Sequence, residues 1–163
     1  MTNIQIRLIQ NSSETEICAR MMANTDPWIT LGRDYAACLQ NILHPDKEVY
    51  VAVGEGDGTD EIAGLLVLNM HGAFVGYLQS ICVAPQWQNR GVGTRLIAFA
   101  EERIFRDVPN VFLCVSSFNP GARRLYARLG YEVIGEIKDF MMAGYSEFLL
   151  RKTLGPTAGY LGR

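Results

Sequence analysis

The stretch of this chain most able to do chemistry is Ile81-Cys82-Val83-Ala84-Pro85-Gln86-Trp87-Gln88-Asn89-Arg90-Gly91-Val92-Gly93-Thr94-Arg95-Leu96. An expected strand ends at Pro85, a polar loop follows, and a helix opens near Gly91. Glycines at a helix start let backbone N–H groups approach an anion, and the helix dipole adds partial positive charge there. Arg90 and Arg95 supply full charges, and the Thr94 hydroxyl supplies another donor. A pyrophosphate is the natural guest. A Gly-x-Gly pair alone also serves a plain tight turn; the strand–Pro–Gln-x-x-Gly-x-Gly–helix setting favours the anion. Two rival phosphate sites do not fit. A P-loop requires GxxxxGK[ST], and this segment holds no lysine. A dinucleotide fingerprint sits in the first βαβ unit, with an acidic residue after the next strand. Here expected strands already precede the segment, and Val111-Phe112-Leu113-Cys114-Val115 ends without such a residue.

Hydrophobic periodicity supplies the frame for these residues. Ile4 to Ile9 alternates like a short strand. Ser13-Glu14-Thr15-Glu16 reads as a capping box for a helix reaching Asn24, with Asp26-Pro27-Trp28 breaking it. A second helix is expected from Asp34 to Leu43, stopped by His44-Pro45. Glu48 to Val53 is a β-branched strand, and Gly54 to Glu61 a polar, flexible turn. Ile62 to Met70 and Phe74 to Val83 are further strands joined at His71-Gly72-Ala73. Val92 to Arg106 presents Leu96, Ile97, Ala100 and Ile104 on one helical face. Val111 to Val115 suits a buried central strand. Ala122, Leu125, Tyr126 and Leu129 mark another helix, ended by Gly130. Strands near Tyr131–Ile137 and Tyr145–Leu150 complete the order β-α-α-β-β-β-α-β-α-β-β. Helices separate some strands and not others, so the class is α/β with a mixed sheet.

Composition narrows the partners. The chain has 163 residues, 48% hydrophobic and 20% charged, an ordinary globular balance at one domain's length. A single domain is expected over residues 1–154, with a loose tail over 155–163. Fifteen Lys+Arg against seventeen Asp+Glu leave a net charge of −2, without the basic surplus that nucleic-acid phosphate demands. No apolar run approaches the roughly 18 residues of a membrane helix. The first residues also lack the basic-then-apolar order of a secretory signal. The four cysteines, Cys18, Cys38, Cys82 and Cys114, show no CxxC spacing, and His44 and His71 sit in no metal-site spacing to them. Free thiols in a reducing cytoplasm are expected, with no metal, no nucleic acid and no membrane partner.

Gln88-Asn89-Arg90-Gly91-Val92-Gly93 resembles the Q/R-x-x-G-x-G/A motif of the GNAT superfamily of N-acetyltransferases. Asn119-Pro120-Gly121-Ala122-Arg123-Arg124-Leu125-Tyr126-Ala127-Arg128-Leu129-Gly130-Tyr131 is similar to that superfamily's second signature, N-x-x-A-x-x-L-Y-x-x-x-G-F/Y. Over this half the pattern is similar to that of the ribosomal-protein alanine N-acetyltransferases. The resemblance implies a sheet of about seven strands and four helices, splayed between the strands ending at Val83 and beginning at Val111. It implies acetyl-CoA as co-substrate and direct transfer to an amine. The backbone at Ile81, Cys82 and Val83 would pair with the pantetheine arm, with an N–H of this stretch, at Cys82, as oxyanion donor. Gln88, Asn89, Arg90, Gly91, Val92, Gly93 and Thr94 would wrap the pyrophosphate, and Asn119 would bond the arm. Tyr126 would protonate the leaving thiolate. A phenol titrates at about 10 and a thiol at about 8.5, so tyrosine is a usable donor that stays protonated at neutral pH.

The chain departs from the alanine acetyltransferase pattern at one telling place. There a glutamate lies five residues before the motif asparagine and acts as base; here that position is Cys114. A lysine side chain at pH 7 is neutral in roughly one molecule in 2,500, and an α-amine in roughly one in seven. A weak base therefore leans toward an amine of low pKa. Asp26, His71, Glu136 and Asp139 are the other candidates for base or acceptor contact. Trp28, with Tyr35 and Phe74, could wall the acceptor site, and Asp139 could border it. The acceptor stays open between a small-molecule amine and a peptide or protein amine, and a homodimer is possible. A non-catalytic acyl-CoA-binding sensor is the competing reading; it would have no use for a proton donor at Tyr126.

Overall fold

The computed structural model describes residues 3–55 and 59–163. The centre of the expected polar turn, residues 56–58, lies outside the described residues. The elements are β1 (Ile4–Leu8), α1 (Ser12–Ala23), α2 (Tyr35–Leu43), β2 (Lys47–Glu55), β3 (Asp60–Asn69), β4 (Tyr77–Val83), a short 3₁₀ turn (Pro85–Trp87), α3 (Val92–Phe105), β5 (Asn110–Ser116), α4 (Pro120–Arg128), β6 (Glu132–Lys138) and β7 (Ser146–Thr153). The strands form one mixed sheet, as expected, and its spatial order is β1-β2-β3-β4-β5-β7-β6.

The apolar strands β2 and β3 alternate cleanly between two cores. Val49, Val51, Leu65 and Val67 face α1 and α2 beside Cys18, Met22 and Cys38. Tyr50, Ala52, Leu66 and Leu68 face α3 beside Leu96, Ile97 and Ile104. Successive side chains of a strand point to opposite faces, so a strand covered on both sides must be apolar throughout. The cysteines are free, and burial pushes the thiols of Cys18 and Cys82 up to about 12.

The sheet opens in its middle. β4 runs parallel to β5, and Tyr77↔Phe112 is the one registered pair between them. Gly76 makes that junction: it has φ +87°, and its carbonyl accepts from Phe112 N at 3.0 Å. A Cβ there would collide with Asn110 O. Past Tyr77 the strands diverge, which leaves one edge of β4 without a neighbour.

Four expectations need correction. The first helix is capped by Asn11, which accepts from Glu14 N at 2.9 Å, rather than by Ser13. Glu14 is the glutamate that matters, because it pairs with Arg7 of β1 at 2.7 Å and accepts from Gln10 N. β4 begins at Tyr77 instead of Phe74, since the Gly76 turn ends the bend there and Phe74 leaves the ladder to pack edge-on against Phe112 at 5.0 Å. β7 runs on to Thr153 because β5 pairs with it through Asn110↔Thr153. The tail is docked rather than loose. Arg163 N bonds Phe105 O at 3.2 Å, the Tyr160 hydroxyl donates to the same carbonyl, and Asn110 Nδ2 reaches Thr157 Oγ1 at 3.3 Å. The first two meet the Phe105 carbonyl, which the end of α3 would otherwise leave without a partner.

Candidate active site

Among the described residues, three of the four α-helices cap their N-termini with a side chain. Asn11 serves α1 and Asp34 serves α2, each at 2.9 Å, and Asn119 serves α4 at 3.1 Å. α3 has no such cap: its N-cap is Gly91 in the left-handed region at φ +79°. The first intrahelical bond there is Arg95 N to Gly91 O at 3.0 Å. The N–H groups of Val92, Gly93 and Thr94 therefore point out of the helix without an intrahelical acceptor. Asn89, also left-handed at φ 58°, turns the chain into this start. No acidic residue stands in the first turn, so nothing in it competes with an anion for the dipole.

The cations divide. Arg90 is exposed and lies over the Trp87 ring at 5.5 Å, beside the open turn. Arg95 donates to Ile4 O of β1 at 2.8 Å, so it holds the sheet edge and is not free for an anion as the spacing suggested. Arg123 lies over Phe148 at 3.9 Å, while Arg124 and Arg128 are exposed.

The unpaired edge of β4 leads away from this turn. Ala84 donates to Ala63 O at 2.9 Å, and the same antiparallel register continues through Gly64↔Val83 and Leu65↔Cys82. Backbone groups alternate sides along a strand, so Cys82 turns its N–H toward β3. Ile81 and Val83 turn theirs to the open edge, and Gln88 Nε2 braces Val83 O at 3.2 Å. The Cys82 N–H, expected at the open edge, is thus the one turned away from it.

A cleft of about 370 Å³ occupies the splay. Ile81, Asn119, Tyr126, Cys114 and Trp28, singled out in the sequence, all line it. Asn119 already uses Oδ1 as a cap, which leaves its amide N–H₂ for a guest. Tyr126 is 5% exposed, packs edge-on against Tyr131 at 5.3 Å, and is held well above its ordinary pKa by burial. It keeps its proton throughout the neutral range.

Asp26, His71, Glu136, Asp139, Tyr35 and Phe74 do not line the cleft. Each has a local task instead. Asp26 accepts from the Thr30 hydroxyl at 2.7 Å, Glu136 from Ser146 Oγ at 2.6 Å, and Asp139, left-handed at φ 52°, from Gly144 N at 2.6 Å. His71 N is tied to Asn69 Oδ1 at 3.0 Å. Arg20 lies over the Tyr35 ring at 5.7 Å, and Phe74 is 49% exposed on Phe112.

Sequence reasoning missed the carboxylate that does line the cleft. Glu147 of β7 is 5% exposed and accepts from Ser116 Oγ at 2.5 Å. Desolvation raises its pKa, partly offset by the Ser116 hydrogen bond. Burial also raises the pKa values of Tyr77 and Cys114, which share the cleft, so both stay neutral. The one available signal was a glutamate inside an apolar strand.

The profile described as acetyltransferase (GNAT) family matches residues 14–131. Among solved structures, a GNAT-family protein from Desulfovibrio desulfuricans is similar over 94% of this chain and 100% of its own, with TM-score 0.75 and 19% identity. NAA60 of Arabidopsis thaliana, solved with a bisubstrate analogue, is similar over the same shares, 94% and 100%, with TM-score 0.75 and 17% identity. An aminoglycoside 6'-N-acetyltransferase solved with coenzyme A is similar over 93% of this chain and 98% of its own, with TM-score 0.71 and 14% identity. At such identities the likeness is one of fold. No match was found among curated proteins.

Proposed function

The chain belongs to the acetyltransferase (GNAT) family, and on that premise we propose that it transfers an acetyl group from acetyl-CoA to a primary amine by direct attack. The uncapped start of α3 carries the reading. Three free N–H groups, a positive dipole end and exposed Arg90 suit a pyrophosphate better than any neutral guest. The open edge of β4 fits the amide-bearing pantetheine arm, which can bond to a strand edge as a further strand does.

Acetyl-CoA would supply an activated carbonyl and a thiol leaving group. In this arrangement the open-edge N–H of Ile81, which lines the cleft, stabilises negative charge on the carbonyl oxygen, and that of Val83, two strand residues nearer the turn, is left for the arm. Asn119 orients the arm through its amide N–H₂. Tyr126, protonated and buried, delivers its proton to the departing sulfur. The walls of the cleft hold the amine in line with the thioester, which converts an encounter into a unimolecular step.

Calorimetric titration with acetyl-CoA, followed by a thiol-release assay on a panel of amines, tests this. Micromolar binding with turnover on at least one amine is expected. Binding without turnover on any acceptor would favour the acyl-CoA sensor, and absence of binding would remove the reading altogether.

A further inference from the structure

Glu147, Ser116, Cys114 and Tyr77 meet on one face of the sheet. Register places Glu147 opposite Ser116, Cys114 lies two residues earlier on β5, and Tyr77 pairs with Phe112 on the same face. This is the α1/α2 face, because Val111, Leu113 and Val115 of β5 belong to the core under α3. Tyr126 belongs to that α3-side core as well. The cleft therefore passes through the splayed sheet, with the proton donor on one side and the carboxylate on the other.

Glu147 has no cationic partner. Among the described residues no Lys, Arg or His lies within ion-pair distance of it, and the Ser116 hydroxyl is its one hydrogen-bond donor. A carboxylate taken out of water destabilises the fold unless it is paired. Such a group beside a cleft is a receptor for a positive charge that arrives from outside. Its surroundings describe the rest of the guest. Trp28, Leu31, Phe140 and Met141 give the cleft apolar walls, and its one other charged lining residue is Arg33, of the same sign as an ammonium.

Resting on the acetyltransferase reading, we propose that Glu147 anchors the acceptor's ammonium and takes its proton, and that the acceptor is a primary amine with a single positive charge on an apolar stem. A small aralkylamine and a peptide N-terminus beginning with an apolar residue share that chemistry. Polyamines and aminoglycosides carry several charges, which one carboxylate opposed by Arg33 cannot match. The ammonium gives one proton to Glu147, and the freed lone pair bonds to the acetyl carbon. The carbon–sulfur bond breaks, Tyr126 protonates the thiolate, and the second proton lost from nitrogen restores the phenol. Nitrogen keeps the third as the amide N–H, and Glu147 returns its proton to solvent.

Burial raises the Glu147 pKa from that of a free carboxyl, so the acid limb of the rate profile is displaced upward with it. The groups facing it are Tyr77 from β4 and Cys114 and Ser116 from β5, all uncharged near neutrality; β6 sets Ile137 opposite it, and Arg33 is exposed beyond α1. The folded state binds this proton more tightly than the unfolded chain does. Stability therefore falls as pH rises from the unfolded pKa through the folded one, and at neutral pH Glu147→Gln raises the melting temperature.

The test compares wild type, Glu147→Gln and Glu147→Asp with phenethylamine, the tripeptide amide Met-Leu-Ala and spermidine. Expected for Glu147→Gln are a fall in kcat/KM of about 100-fold or more, loss of the acid limb, weaker phenethylamine binding in the presence of CoA, and unchanged acetyl-CoA affinity by calorimetry. Glu147→Asp should recover part of the rate, and wild type should prefer phenethylamine or the tripeptide over spermidine by at least about tenfold. Glu147→Gln within twofold of wild type, a preference for spermidine, or no turnover of either monoamine overturns the proposal while acetyl-CoA binding leaves the family-level reading standing. Failure of wild type to bind acetyl-CoA overturns both.

Discussion

The two ends of the candidate site are built from different materials. The end at α3, outside the cleft itself, is made mostly of backbone: three N–H groups of a bare helix start, continued by the unpaired edge of β4. The acceptor side is made of side chains brought from the α1–α2 connection, β5, the β6–β7 connection and β7. A backbone site needs particular dihedrals, and those force glycine and a fixed spacing on the sequence. A side-chain site needs only one carboxylate facing an apolar wall, which any segment can deliver.

Breaking the junction between the two sides should have the largest effect. Tyr126→Phe is expected to lower kcat by about 100-fold or more, with acetyl-CoA affinity by calorimetry unchanged because the ring and its packing on Tyr131 remain. A rate within threefold of wild type would remove Tyr126 from the proton path. The backbone side can be sharpened at Gly93. A Cβ there meets Val83 Cγ2 at an ordinary 3.7 Å, and alanine favours the helix by up to about 1 kcal/mol over glycine. Gly93→Ala should thus keep or raise the melting temperature while lowering acetyl-CoA affinity about tenfold, since the methyl crowds the face an anion must approach. A melting temperature that falls together with affinity would mean that the turn was strained for structural reasons. The smallest effect on ligand is expected at Arg95. Arg95→Ala removes the bond to Ile4 O, costs about 1 kcal/mol of stability, and leaves acetyl-CoA affinity within twofold; a tenfold loss would restore Arg95 to the anion site.

Legibility in the sequence followed the same division. The glycines at 91 and 93, Asn119 and Tyr126 could be placed because each sits at a helix start or on a helical stripe, where neighbours in sequence are neighbours in space. The Cys82 N–H was expected at the open edge and faces β3 instead, because strand parity depends on which partner the strand bonds. Asp139 and Glu136 were misread because a carboxylate near a strand end looks the same whether it faces a cleft or closes its own turn. The tail looked loose because its main anchor, the Phe105 carbonyl at the end of α3, carries no side-chain signature.

By itself the sequence settled the order of elements, the all-apolar central strands and the bare glycine turn at α3, because these rest on local dihedral preference and periodicity. Tertiary structure alone decided that β7 inserts between β5 and β6. That insertion carries Glu147 to within 2.5 Å of Ser116, a residue 31 positions away. Pairing over such a distance is fixed by how whole strands share a core, and no local pattern encodes it.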